Sequence, residues 1–377
     1  MMKRAISTLN DFLNGTAALA LATSRLPLVL TRDYWASSVL ESATGHHLVG
    51  VADGLFGRGT STLERGARQG MTVRVGRRPV GLDERSLAAA FPRATGRVVV
   101  FLHGLVETEL GWFRGSAPEG DFGARLAGDF GSSPVYVRYN SGRHVSESGA
   151  ELVALLSRLV AAWPVPVADI VLIGHSMGGL VARSALYQAQ ERNVSWLSVV
   201  TRLVCLGTPH SGAPLERRVA QLTALFGKTT LTAPLTKLFA LRSNGIQDLA
   251  HGYVHRRQWA TEPHLSSRAD PSPSPGIRRL FVSATLSRRE GSTWGRLIGD
   301  LLVTPVLSEE LTEDAEIVWL GGLNHFALLR DDLVYTTLLE WLCADDTVQT
   351  FARRATTRDP SRALDRPEPT TEKNRES

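Results

Sequence analysis

Apolar residues in the middle of the chain are grouped in short runs, and the segments between these runs carry apolar residues at helical spacing. A short apolar run bounded by glycine or polar residues is typical of a buried strand. The strands predicted in this way lie at residues 71–75, 97–102, 134–139, 170–173, 203–206, 280–284 and 316–320. The first of them alternates apolar and polar residues, which predicts a half-buried edge strand.

Helices are predicted between these strands from the same pattern. The predicted helical segments lie at residues 87–91, from 122 onward, at 146–159, at 180–190 and at 326–342. Strands and helices that alternate along a chain are typical of a three-layer α/β domain built around a mostly parallel sheet. We expect this domain to occupy residues 66–350.

Three segments depart from the alternation. Residues 1–65 are predicted to form an N-terminal helical addition, whose first part reads as an amphipathic helix, with a signal peptide as the alternative. Residues 213–276 are rich in Leu and Phe without strand-like boundaries, which predicts a helical cap or lid insertion. Residues 351–377 are polar and charged, so we expect a disordered tail.

The sequence Gly174-His175-Ser176-Met177-Gly178 lies where a predicted strand passes into a predicted helix. Strand, G-x-S-x-G and helix, in that order, are typical of a nucleophile elbow, in which a sharp turn exposes the serine. The N-terminus of the helix favours the negative charge that develops during attack. We therefore predict that Ser176 is a nucleophile; the alternative is a tight turn with an incidental serine.

A serine nucleophile needs a general base and an acidic residue that orients the base. His325 follows the last predicted strand and is the predicted base, because ligands of open α/β sheets gather at the carboxyl ends of strands. Asp300 is the predicted acid, since it precedes His325 in the chain order serine, acid, histidine. The competing carboxylates are Glu290, Glu309, Glu310, Asp314 and Glu316.

An oxyanion hole is expected from two backbone N–H groups, those of Met177, directly after the nucleophile, and Leu105, in the loop after the strand that ends at residue 102. The predicted substrate-binding residues are His103, Gly104 and His175. Support of the loop by hydrogen bonding is the alternative role for His103, and the ring of His175 is expected to point away from the nucleophile.

Two further side chains near the strand ends are expected to be structural. His210 is expected to support a loop, as His103 does. Glu107 would either bind a polar substrate group or be a solvated or loop-capping carboxylate, and the second role is favoured.

Composition narrows the function further. The formal net charge is +5 and the pI is about 9.5, but the excess is spread along the chain, which argues against nucleic acid and allows peripheral contact with an anionic membrane. The two cysteines, Cys205 and Cys343, are predicted to be small buried apolar residues. The sequence shows no metal-ligand cluster. No segment is long enough to span a membrane, so we expect a cytoplasmic protein, with membrane association as an option.

The motifs in their order along the chain resemble the α/β-hydrolase superfamily, in particular its lipase and esterase branch with inositol-deacylase-like (PGAP1-like) members. The residues that carry the resemblance are His103-Gly104-Leu105, Tyr139-Asn140-Ser141-Gly142, Gly174-His175-Ser176-Met177-Gly178-Gly179, Gly207-Thr208-Pro209-His210-Ser211-Gly212, Gly299-Asp300-Leu301-Leu302-Val303 and Asn324-His325. The acid loop lacks the second glycine of the family's Gly-Asp-Gly-Leu-Val pattern. The resemblance covers about residues 95–345 and implies ester hydrolysis through an acyl-serine intermediate, without a cofactor.

The function expected from these observations is that of a serine esterase or lipase acting on a small-molecule ester or a lipid. One alternative is a hydrolase-fold protein that binds a membrane or a protein surface and has little or no catalysis, because fold alone does not determine function. Another is an acyltransferase or thioesterase that uses the same triad. Acyl length, alcohol group and oligomeric state are not determined by the sequence.

Overall fold

A computed structural model describes residues 70–113, 120–210, 243–257, 276–285 and 315–356 of the chain. In these ranges the strands are β1 (Thr72–Val75), β2 (Arg78–Val80), β3 (Arg97–Leu102), β4 (Ser133–Arg138), β5 (Asp169–His175), β6 (Val200–Leu206), β7 (Arg278–Thr285) and β8 (Ala315–Gly321). The helices are α1 (Glu84–Ala90), α2 (Phe122–Asp129), α3 (Val145–Ala162), α4 (Met177–Glu191), α5 (Asn244–His251) and α6 (Asp332–Thr356). Short 3-10 segments lie at Glu109–Phe113, Ser195–Val199 and His325–Leu329.

The described strands form one sheet in the order β2-β1-β4-β3-β5-β6-β7-β8. The strands β4, β3, β5, β6, β7 and β8 pair in parallel, while β1 pairs antiparallel with both β2 and β4. Parallel strands bring their carboxyl ends to one edge of the sheet, so the loops after β3, β5, β6 and β8 lie along the same edge. This edge carries the predicted site.

Helices cover both faces of the sheet, which gives the predicted three layers. Alternate residues of β3 point to opposite faces: Val98 and Val100 pack with α3 and α4, while Val99 and Phe101 pack with α2 and α6. A central strand buried on both faces must be apolar at every position, which explains the continuous runs in the sequence.

Most predicted strands and helices are confirmed, and the differences lie at the periphery. The prediction that the first strand is at the edge is wrong, because the three-residue strand β2 pairs with its outer side. The predicted closing helix at 326–342 is instead a 3-10 segment, His325–Leu329, followed by α6, which runs to Thr356 and so into the expected disordered tail. Cys205 is buried as predicted, whereas Cys343 is half-buried.

The predicted cap insertion is described only in part. Its helix α5 begins with the cap residue Ser243, whose hydroxyl accepts the N–H of Ile246, and ends at Gly252. Of residues 213–276, the structure describes only 243–257 and 276. The predicted N-terminal addition and the tail after residue 356 lie outside the described residues. No helix among the described residues is long and apolar enough to cross a membrane.

Candidate active site

Ser176 lies between the end of β5 and the start of α4 with φ 52° and ψ −120°. A non-glycine residue rarely adopts this backbone conformation, and such strain persists only where the surroundings hold it. Here the Ser176 N–H donates to the carbonyl of Leu206 at 2.8 Å, and the Thr208 hydroxyl donates to the Ser176 carbonyl at 2.9 Å. The turn at Ser176 is therefore strained and held from both sides of the residue, and its role as a nucleophile elbow stays a prediction.

The glycines of the motif make this turn sterically feasible. A methyl group at Gly178 would overlap the carbonyl oxygen of Leu102 on β3, and one at Gly174 would overlap the backbone of Gly179. Helix α4 can thus approach the sheet closely only because positions 174 and 178 lack a side chain.

His325 begins the 3-10 segment after β8, and the Asn324 side chain caps that segment by accepting the N–H of Ala327 at 3.0 Å. The His325 side chain is buried against the end of β6: a methyl group at Gly207 would lie 2.8 Å from its Cε1 and 2.9 Å from its Nδ1. Gly207 directly follows Leu206, whose carbonyl accepts the Ser176 N–H. The predicted nucleophile and the predicted base therefore both contact the carboxyl end of β6.

Asp300, the predicted acid, lies outside the described residues, so its role stays a prediction. Among its competitors, Glu316 is on β8, where it accepts from Arg278 at 2.8 Å and from the indole of Trp341 at 2.6 Å. Position 316 is at the amino end of that strand, whereas His325 follows the carboxyl end. Glu316 is thus at the wrong edge of the sheet to orient His325.

The predicted oxyanion loop follows β3 and passes close to the nucleophile. A methyl group at Gly104 would lie 3.2 Å from the Cβ of Ser176. The next residue, Leu105, is buried, and Val106 has φ 56°, a conformation that is strained for a β-branched residue. The Ser141 hydroxyl holds the strained residue by accepting the Val106 N–H at 3.1 Å.

The two predicted oxyanion donors belong to Met177, which follows Ser176, and to Leu105, which follows Gly104. Met177 is the first residue of α4, and the first N–H groups of a helix have no acceptor within the helix. Leu105 is in the loop that approaches the nucleophile. Their role as a pair of donors stays a prediction.

Glu107 is not solvated. Its Oε2 accepts the N–H of Gly104 at 2.8 Å and lies 3.0 Å from Nδ1 of His175, and its side chain is only 13% exposed. Burial by itself would raise the pKa of Glu107, but the His175 imidazole and the Gly104 N–H lower it to about 2. The loop-capping role is confirmed, and a second contact, to His175, was not foreseen.

The ring of His175 is buried under the site. Its Nε2 lies 3.3 Å from the carbonyl oxygen of His325, and the two imidazole rings are 4.6 Å apart between centroids. Sequence spacing could not reveal the contact with Glu107, because the residues are 68 positions apart. The contact follows from the pairing of β3 with β5, which brings the loops after these two strands together.

His103 supports the loop through its ring. Its Nδ1 lies 2.9 Å from the carbonyl of Gly104, its Nε2 accepts the N–H of Tyr139 at 3.3 Å, and the two rings stack. These partners require a neutral ring with the proton on Nδ1. Burial lowers the pKa of His103, which favours the same neutral form. The contacts fit the supporting role; the substrate-binding role predicted for His103, Gly104 and His175 stays a prediction.

His210 also lies within the structure and not at a surface. Its Nδ1 is 3.1 Å from the Arg183 guanidinium, and its ring packs on Phe281. Burial, together with the nearby guanidinium, holds the pKa of His210 well below its usual value. Within the described ranges no group of three or more His, Cys, Asp or Glu side chains could hold a metal ion.

Comparison with known proteins agrees with this geometry. Residues 143–283, less than half of the chain, match the model of the family described as PGAP1-like alpha/beta domain. A comparison with curated proteins found no match to this sequence. The parallel sheet with helices on both faces confirms the predicted fold class, and the family match supports the resemblance to the α/β-hydrolase superfamily.

Solved structures that are similar to this chain include a lipase and two esterases. The Bacillus licheniformis lipase BlEst2 in mature form is 19% identical, with 65% of this chain and 91% of that chain covered and a TM-score of 0.42. The esterase from the archaeon Pyrobaculum calidifontis is 18% identical, with 67% and 77% covered and a TM-score of 0.40. The Rhodococcus esterase RhEst1 is 17% identical, with 66% and 92% covered and a TM-score of 0.38.

Proposed function

We propose that this α/β-hydrolase-fold protein is a serine hydrolase of carboxylic esters. The observation that supports the proposal is the strained turn at Ser176, at the N-terminus of α4, together with the buried His325 at the carboxyl end of the same sheet. Strain of this kind at the edge of the sheet where ligands bind is typical of a reactive residue. A serine without a chemical role would not require this strained backbone conformation.

In the proposed reaction His325 accepts the proton of Ser176 as the hydroxyl oxygen attacks the ester carbonyl. The N–H groups of Met177 and Leu105 stabilise the oxyanion of the tetrahedral intermediate, and Asp300 orients the imidazole. His325 then gives the proton to the departing alcohol, which leaves an acyl group on Ser176. Water, deprotonated by the same histidine, releases the acid and restores the serine.

The proposed substrate is a small-molecule ester or the ester of a lipid. The Leu- and Phe-rich insertion at 213–276 would supply an apolar acyl pocket. We propose that the protein acts in the cytoplasm, with peripheral contact to a membrane when the substrate is a lipid.

Hydrolysis of p-nitrophenyl esters of increasing chain length tests the proposal. We expect turnover by the wild type, and a loss of about 1000-fold or more in kcat for Ser176→Ala, because the nucleophile is removed. Ser198→Ala is the matched control, since Ser198 is exposed in the 3-10 segment Ser195–Val199. A preference for long chains would support a lipid substrate.

Labelling with a fluorophosphonate, which reacts with activated serines, separates the enzyme from a binding protein of the same fold. Wild type and Ser198→Ala should be labelled, and Ser176→Ala should not. An unlabelled wild type would refute the proposal and favour a non-catalytic binding protein. Addition of an alcohol or thiol acceptor to the ester assay distinguishes hydrolysis from acyl transfer.

A further inference from the structure

Glu107 and His175 form a buried pair directly beneath the elbow. One carboxylate oxygen, Oε2, faces both the Gly104 N–H at 2.8 Å and Nδ1 of His175 at 3.0 Å. The His175 side chain is 1% exposed and that of Glu107 is 13% exposed. A carboxylate and an imidazole that are this deeply buried have few water contacts. Each therefore depends on protein groups, including the other side chain, for its hydrogen bonds.

Both ring nitrogens of His175 face oxygen atoms of the protein. Nδ1 faces the carboxylate of Glu107 at 3.0 Å, and Nε2 faces the carbonyl oxygen of His325 at 3.3 Å. The ring is thus fixed on one side by the oxyanion loop and on the other by the segment after β8.

This pair joins three parts of the proposed active site. Through Gly104 it holds the loop that carries Leu105, the predicted oxyanion donor. Through His175 it is linked covalently to Ser176, and through the carbonyl of residue 325 it holds the segment that carries the proposed base.

We propose that the Glu107–His175 pair is a positioning device that keeps the oxyanion loop and the His325 segment in register with Ser176. The inference rests on the proposed ester hydrolysis. In this proposal neither side chain contacts the substrate, which differs from the substrate-binding role predicted for His175 from the sequence; both act through the backbone groups that they hold. Rates of reactions that depend on aligned groups fall steeply when those groups shift by a fraction of an ångström to an ångström.

A comparison of Glu107→Ala and Glu107→Gln tests the proposal. In Glu107→Ala both hydrogen bonds are lost, and we expect kcat to fall about 10- to 100-fold while KM changes by about twofold or less. The Gln oxygen can still accept from Gly104 and from Nδ1 of His175 but is a weaker acceptor than a carboxylate oxygen, so kcat of Glu107→Gln should lie between those of Glu107→Ala and wild type. Affinity for a trifluoromethyl ketone, which forms a tetrahedral adduct, should fall in parallel with kcat.

Glu109→Gln is the matched control. Glu109 is a buried carboxylate two residues further along, but it pairs with Arg138 at 2.5 Å and with Arg74 at 3.5 Å, on strands β4 and β1. Its loss should lower the melting temperature and leave kcat per folded molecule near the wild-type value. Folded fractions are measured by circular dichroism for every variant.

His175→Asn is the second variant, used also if Glu107→Ala does not fold. The asparagine amide of this variant can reach Glu107 in place of Nδ1 but cannot reach the carbonyl of His325. We therefore expect a lower kcat and slower labelling of Ser176 by fluorophosphonate.

The outcomes separate the two proposals. Normal kcat in folded Glu107→Ala or His175→Asn, or a loss confined to KM, would overturn the positioning role while ester hydrolysis stands. A wild type that hydrolyses no ester and is not labelled would overturn both.

Discussion

The substitution Gly207→Ala, which adds a methyl group, tests the placement of His325 most directly. Gly207 has φ 61°, and a Cβ atom there would lie 2.8 Å from Cε1 of His325, 2.9 Å from its Nδ1 and 2.8 Å from Cδ1 of Leu328. Ordinary van der Waals contact begins at 3.4 Å. The imidazole must therefore move by about 0.6 Å in Gly207→Ala, because the backbone of β6 is held in the sheet.

Two effects of Gly207→Ala can be separated in magnitude. A left-handed backbone costs a non-glycine residue about 1–2 kcal/mol, which lowers the stability of the fold. Displacement of the base lowers the rate as well, and since a shift of about 1 Å can cost about 100-fold, we expect kcat/KM to fall by about 10- to 100-fold. Only the second effect reports on catalysis.

Gly131→Ala is the matched control for the first effect. Gly131 has φ 64°, nearly the same as Gly207, but a methyl group there would meet nothing within 4 Å, and it lies in the turn between α2 and β4. Both variants should lose similar backbone stability, as measured by urea unfolding, with any further loss in Gly207→Ala due to the contacts with His325 and Leu328. Ester hydrolysis per folded molecule should fall only in Gly207→Ala.

The reasoning would be refuted by equal activities. If folded Gly207→Ala hydrolyses esters and reacts with fluorophosphonate as fast as Gly131→Ala, then the imidazole that contacts Gly207 does not take part in the reaction. His325 would then lose its assignment as the base, and another histidine would have to be sought.

Three further predictions concern titration and packing. The pKa of Glu107 is lowered from 4.5 to about 2, so its carboxylate contributes about 3 kcal/mol to folding that is present above pH 4.5 and is lost as the pH falls through 2; urea unfolding between about pH 5 and 2 should show a shallower decline for Glu107→Gln than for wild type. Burial raises the pKa of Asp248 from 3.8 to about 6 despite its contact with His144, so its contribution is fully present below pH 3.8 and is lost as the pH rises through 6; Asp248→Asn should remove this part of the pH dependence, and an unchanged profile would contradict the assignment. A methyl group at Gly178 would overlap the carbonyl of Leu102, so Gly178→Ala should lower the melting temperature more than Gly131→Ala does, and equal melting temperatures would mean that α4 can shift away from β3.

Local patterns determined the strands, the order of strand and helix along the chain, and the elbow at Ser176. These features depend on residues close together in sequence: a run of apolar residues buries a strand on both faces, and glycines two positions before and after a serine allow a sharp turn. The chain order of serine, acid and histidine likewise singles out His325 as the predicted base. For Asp300, which the structure does not describe, the assignment still rests on that order and on the resemblance of residues 299–303 to the family's acid loop.

Tertiary structure alone decided how separate segments meet. The place of β2 at the edge, the contact of His325 with Gly207, and the pair of Glu107 with His175 all join residues whose spacing in the chain is unrelated to their distance in the fold. Glu107 is a plain carboxylate in a loop until β3 and β5 pair side by side and bring its oxygen to the imidazole of His175. The physical reason is that the chemistry of a buried carboxylate depends on its neighbours, and those neighbours are selected by strand pairing and not by sequence distance.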